Sequence, residues 1–412
     1  MSKNTFLNNK LVSKTNIAII LAILAMLGFL VYRPLNSAAT TLFGINALWN
    51  INPKHWLRQK WWWCCVIWVA TYAITYFWST DMHSWNERID IKLPFLLLPL
   101  SFALLPKFST KQLFILTISI AFMLLVGAGY STYFYIKSSA YYIHQYEFSG
   151  TLPTPAESDH IVFSLCISLF IVWSVYFFPY IKTVYWKWFI AITAILLGLY
   201  LHLLSAKTGL VTLYIFLFSW VIYLIIKKNR MMAFGVIAAL AIFSFFAWNY
   251  IPTFRQKILY VKYTYILYRQ GEITGNYSDM GRVVSDKIAI RLIEEHPLRG
   301  VGAGDILEEM KKGYDRWYPQ IKEEQRLFPH NQFLSSGVGC GILSIVMLAI
   351  VAIFPMLSIT KSRQGFFSFV IALMLFVPLL VEPFLEIQFG VFVYLFFLLW
   401  IWCIPITPAE QE

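Results

Sequence analysis

Charge is what this chain has least of. Asp, Glu, Lys and Arg make up 13% of its 412 residues, against ~25% in ordinary soluble domains, while apolar residues reach 59%. That shortage excludes a soluble globular protein and sets aside the usual conversion of length into domain count. Cysteine is also sparse. Cys64, Cys65, Cys166, Cys340 and Cys403 all fall inside apolar runs, with neither metal-ligand spacing nor a disulfide framework. No small-residue cleavage site follows the first apolar run, so that run reads as a retained span and not as a signal peptide. No repeat at a period of 20–50 residues is visible, no tract is of low complexity, and the two halves do not look duplicated.

What is present is a series of apolar runs. A membrane-crossing helix needs about 20 such residues, with ~17–25 as the working range. Twelve candidates follow: 17–32, 38–51, 61–78, 91–105, 113–135, 161–180, 188–204, 209–226, 231–250, 333–357, 366–381 and 387–404. The expected fold is therefore all-α, a polytopic transmembrane bundle of about twelve spans. Residues 1–250 carry spans one to nine, 251–330 form one large, mostly helical loop, and 331–412 carry the last three spans. Fifteen lysines and arginines fall in the short segments on the side of the termini, and five on the other. The positive-inside rule then puts both termini in the cytoplasm and the long loop outside. The net charge of +12 is thus a topology signal, which leaves a nucleic-acid partner little support.

The long loop carries the chemistry-bearing residues. Val284, Ile288 and Leu292 recur at four-residue spacing, which predicts an amphipathic helix over 282–296 lying on the membrane or on the bundle. Gly300-Val301-Gly302-Ala303-Gly304-Asp305 reads as a turn; its third glycine is misplaced for a dinucleotide fingerprint. The loop ends in Phe328-Pro329-His330-Asn331, where the tenth apolar run begins. An imidazole at that seam, stiffened by Pro329 and beside Asn331, suits proton transfer at a membrane surface, and a helix N-terminus there favours phosphate. Arg282 and Arg291 lie nine residues apart in the amphipathic segment. Lys207 sits in Ser205-Ala206-Lys207-Thr208-Gly209, a short break between spans where a cation is costly without an anionic partner or snorkelling. Glu382 and Glu386, between the last two spans, suit substrate binding or pairing with those arginines. Glu157-Ser158-Asp159 could offer oxygen ligands to a divalent cation, but one acidic pair makes no convincing metal site.

Together these residues resemble the bacterial O-antigen ligase and polymerase family of membrane proteins. Members are similar in having about a dozen spans and one large periplasmic loop before the third-last span. The motif quoted for the family's ligases runs His-Asn, nine residues and a glycine. Here it reads His330-Asn331, then Gly341-Ile342-Leu343-Ser344, with serine departing at the last position. The loop pattern appears as Arg282 and Pro297-Leu298-Arg299-Gly300-Val301-Gly302. At the break before the eighth span the family usually shows Ser-Arg-Ser/Thr-Gly, where this chain has Lys207 in place of arginine. Lysine keeps the charge but loses the bidentate fork.

The resemblance implies a glycosyltransferase of GT-C-like architecture in the bacterial inner membrane. It would move a glycan from undecaprenyl diphosphate to a sugar hydroxyl of the lipid A core at the periplasmic face. It also implies that no metal or other cofactor is needed. Under the polymerase alternative the acceptor is another lipid-linked glycan. His330 would be the base, Arg282 with Arg291 or Lys207 the diphosphate clamp, and Asn331, Glu382 and Glu386 further substrate contacts. A non-enzymatic transporter remains the competing class, though transport does not require nearly eighty loop residues ending in His-Asn.

Overall fold

A computed structural model describes residues 13–48, 60–148, 150–157, 159–270, 278–357 and 362–403. Lys3, Lys10, Lys54, Arg58 and Lys361 of the charge asymmetry lie outside these residues, as do Ser158 and the ends of the second and last expected spans. Among the described residues the chain is all-helical. Of the described helices, six are long and apolar enough to cross a membrane. They are α1 (Lys14–Val31), α6 (Thr110–Lys137), α8 (His160–Phe177, continued by a turn to Tyr180), α9 (Val184–Leu204), α10 (Lys207–Ile226) and α11 (Arg230–Tyr250).

The other six expected spans are shorter or interrupted. α2 (Arg33–Leu48) is more polar than the six long helices. α3 (Lys60–Ala73) passes into a 3-10 turn before it completes the run to Trp78. A separate helix, α4 (Met82–Lys92), precedes α5 (Pro94–Leu104); Pro94 starts α5 because its missing N–H is harmless in a first turn. The tenth run is not one helix. It divides at Gly341 into α15 (Gln332–Cys340) and α16 (Ile342–Leu357). α17 (Arg363–Leu379) and α18 (Gln388–Trp400) close the bundle.

The division at Gly341 has a cause that local apolarity does not reveal. Gly341 adopts φ +79°, and a Cβ there would sit 2.4 Å from the Leu298 carbonyl oxygen. The Pro297–Gly302 segment, which leads into the turn read at 300–305, docks against this break. Ile342 N–H donates to the Pro297 carbonyl, Val301 N–H to Val338 and Gly302 N–H to Gly339, at 2.8–3.0 Å. Gly300 takes φ +66° because its backbone lies against the Gly339–Cys340 peptide.

The remaining helices are α7 (Ser139–Gln145), α12 (Pro252–Arg269), α13 (Ser278–Glu295) and α14 (Ile306–Trp317). The expected amphipathic helix is α13. Val284, Ile288 and Leu292 are buried, and with Ile306, Met310, Tyr314 and Val338 they form a second core apart from the main one. Val338 belongs to α15, so this core reaches past the expected boundary at residue 330. The main core centres on α8, of which 83% is buried. α8 packs against α9, α10, α17 and α18.

Candidate active site

α13, the segment before α15 and the connection between α17 and α18 bring His330, Arg282 and Glu382 together. His330 is about four-fifths buried. Its Nδ1 lies 2.8 Å from the Phe328 carbonyl oxygen. A carbonyl can only accept, so Nδ1 carries the proton and Nε2 keeps the basic lone pair. Nε2 faces Glu382 Oε2 at 3.9 Å, while Arg282 donates to Glu382 Oε1 at 2.6 Å. Burial pushes the His330 pKa below its ordinary value and the Arg282 charge pushes it further, against a smaller opposing effect of the Phe328 contact. The ring is therefore neutral at pH 7, as a base must be.

Asp286, which the motif reading did not single out, completes the group. It lies one helical turn after Arg282, and its Oδ1 accepts the His330 backbone N–H at 3.1 Å. Burial raises its pKa, partly offset by that hydrogen bond and by Arg282. The signal was available as an opposite-charge pair at i,i+4 on a predicted helix.

Asn331 does not orient the imidazole; the Phe328 carbonyl does. Its side-chain oxygen caps α15 by accepting from the N–H groups of Phe333 and Leu334, and its amide donates to the Leu380 carbonyl. Two amides that a phosphate would need at that helix N-terminus are thus already occupied. Arg291 does not share a clamp with Arg282. Nine residues are two and a half turns, which puts the two on opposite faces of α13, and Arg291 lies over the Trp317 ring at 5.2 Å.

Glu386 is engaged separately from Glu382. Its Oε2 accepts from Arg88 at 2.7 Å and Lys92 at 2.9 Å, and its Oε1 from Tyr72 and Gln332 at 2.9 and 2.8 Å. Burial opposes its ionisation, but Lys92 and Arg88 outweigh that and hold the carboxyl well below the usual range. Gln332 in turn accepts the Leu385 N–H at 2.6 Å, locking the start of α15 to the α17–α18 connection. Asp305 is also fully used: its carboxylate accepts from the backbone N–H groups of Thr80 and Asp81 and from the Thr80 hydroxyl.

Lys207 opens α10 after Ser205, which takes a left-handed φ of +50°. Lys207 and Lys257 both approach the ring of Tyr260, at 5.9 and 5.6 Å. The charges of Lys257 and Arg282 both bear on His160. Lys257 was missed because α12 offers no motif around it. Elsewhere, Glu157 pairs with Arg33 and Asp159 caps α8, so neither stands as an open metal ligand. Among the described residues no three His, Cys, Asp or Glu side chains converge to hold a metal ion.

Residues 192–349 match the family model described as O-antigen ligase. Over that segment, less than half of its length, the chain is similar to the O-antigen ligase family. No curated protein matches the chain in sequence. The matched segment contains Lys207, Lys257, Arg282, Asp286, His330 and Asn331, whereas Glu382 and Glu386 come from beyond it. The candidate site thus combines residues of the matched segment with residues of the connection between α17 and α18.

Proposed function

We propose that this protein transfers a glycan from undecaprenyl diphosphate to a sugar hydroxyl of a lipid A core, at the periplasmic face of the bacterial inner membrane, with both termini in the cytoplasm. The observation that carries the reading is the His330 ring, held by the Phe328 carbonyl so that its basic Nε2 faces Glu382 and Arg282. The acceptor hydroxyl gives its proton to Nε2 as its oxygen bonds to the anomeric carbon. The bond from that carbon to the diphosphate breaks, and the carrier leaves with the electron pair. Glu382 then faces a newly formed imidazolium. Arg282, with Lys207 and Lys257, meets the charge that grows on the leaving diphosphate. A diphosphate is already an activated leaving group, so the step needs neither nucleotide nor cofactor.

Purified protein in lipid nanodiscs, given lipid-linked glycan and a lipid A core acceptor, should form a covalent glycan–acceptor product. Carrier binding without product would instead favour the transporter class. Product that forms only on a second lipid-linked glycan would favour the polymerase.

A further inference from the structure

α2 is unusual for a helix of this bundle. It carries Asn36, Ser37, Thr40 and Thr41 close together, and Ser37 and Thr41, one turn apart, are both exposed. Exposed hydroxyls offer donors and acceptors to a ligand. Against this face lies a cavity of about 290 Å³ bounded also by Asp90 and Gln388. Its floor is apolar, with Leu98 and Phe392. Gln388 donates to Ser37 Oγ at 2.6 Å and to Asn36 Oδ1 at 3.2 Å, so the amide is fixed as part of the wall. Thr40 Oγ1, on the same wall, is buried without a hydrogen-bond partner.

Charge narrows the occupant. Arg33, at the head of α2, is bonded to Glu157 at 2.5 Å, and Asp90 brings a carboxylate to the cavity. Among the described residues that line the cavity there is no Lys or Arg, so a phosphate would meet only the like charge of Asp90. Hydroxyls, amides and a carboxylate instead match a neutral polyhydroxyl group, and the apolar floor matches an attached alkyl chain. The position is also informative. Gln388 is two residues past Glu386, whose carboxylate binds Gln332, and Gln332 is two residues past His330.

We propose that this cavity binds the sugar headgroup of an acyl-chain amphiphile and serves as the acceptor site. The assignment rests on the transfer reading for its acceptor role, but the binding itself does not. The donor's diphosphate meets Arg282, Lys207 and Lys257, and the acceptor's sugar meets Ser37, Thr41 and Gln388.

The test uses the full-length protein in phosphatidylcholine nanodiscs with a photoreactive alkyl glucoside, labelled positions being read by mass spectrometry. Labelling should fall on 36–41, 90–98 or 388–392. Octyl glucoside should suppress it, whereas an alkyl phosphocholine of equal chain length should not. Thr41→Leu, at an exposed position, should cut labelling about tenfold, and His330→Ala should leave it intact. In a transfer assay Thr41→Leu should raise the KM for acceptor several-fold without moving the KM for donor. Equal suppression by both competitors, or label placed elsewhere, would overturn the sugar site. Specific labelling with an unchanged acceptor KM in Thr41→Leu would overturn its acceptor role. Absence of any transfer by the wild type would count against the transfer reading, and the labelling result would still decide binding.

Discussion

Arg282 on α13 donates to Glu382 at 2.6 Å across one hundred residues of chain, and the second oxygen of that carboxylate lies 3.9 Å from His330 Nε2. One carboxylate thus links the cation expected to meet the leaving group with the base expected to take the proton. Glu382→Gln keeps the shape but removes the charge that would face an imidazolium. Turnover should fall about 10–100-fold, a loss of roughly 1.4–2.7 kcal/mol of transition-state stabilisation. The His330-controlled limb of the pH profile should also shift to lower pH, because a nearby carboxylate favours the protonated ring. Unchanged turnover with an unchanged limb would show that Glu382 only tethers Arg282.

Arg282 itself acts on His330 in the opposite sense. Its charge helps keep the imidazole below its ordinary pKa. In Arg282→Ala the acidic limb should therefore move up in pH, alongside a higher KM for the lipid-linked donor. Arg282→Lys should restore most of the limb position but not the donor affinity, because lysine lacks the bidentate fork. At Lys207 the reverse exchange is informative: Lys207→Ala should weaken donor binding, and Lys207→Arg should be tolerated or improved. A folded but inactive Lys207→Arg would mark the position as structural.

The Glu386 node carries a stability prediction. Removing its charge leaves Arg88 and the fully buried Lys92 facing each other without an anion. Breaking one side of such a buried pair costs about 3–5 kcal/mol. Glu386→Gln should lower the thermal unfolding temperature of the detergent-solubilised protein, whereas Glu382→Gln, at a less enclosed site, should lower it much less.

Much of the bundle was legible from apolar run length, and the six long helices begin and end within a few residues of their expected bounds. The break at Gly341 was not legible. The run through it is apolar on both sides, and the glycine is needed because the Pro297–Gly302 turn packs there from outside the helix. Gly341→Ala should consequently destabilise the docked loop by roughly 1–3 kcal/mol, readable as faster proteolysis of the 297–330 segment. At the site, the sequence offered His330 at the seam between loop and apolar run, Arg282 in the amphipathic segment, and Glu382 between the last two spans. It did not offer the Phe328 carbonyl or the Lys257 approach to Tyr260, since neither leaves a mark in residue type. Nor did it show that Asn331, expected as a substrate contact, caps α15 through its position before that helix.

Topology offers a check independent of chemistry. A reporter fused after Arg230 should be cytoplasmic and one inserted near Gly313 periplasmic. A cytoplasmic Gly313 would separate the site from lipid-linked glycan on the outer face.

The central claim is that neutral His330 takes the acceptor's proton at Nε2. Single-turnover transfer measured against pH tests it most directly, in wild type and His330→Gln, which can hydrogen-bond but cannot accept that proton. The account predicts a wild-type rate that falls as pH drops through an inflection below the ordinary imidazole value of ~6.5. It predicts a His330→Gln rate lower by about 10²–10⁴-fold without that inflection, while donor binding survives. Near-normal transfer by His330→Gln, with the inflection retained, would contradict the account and place the base elsewhere, with Glu382 or Asp286 the next residues to test.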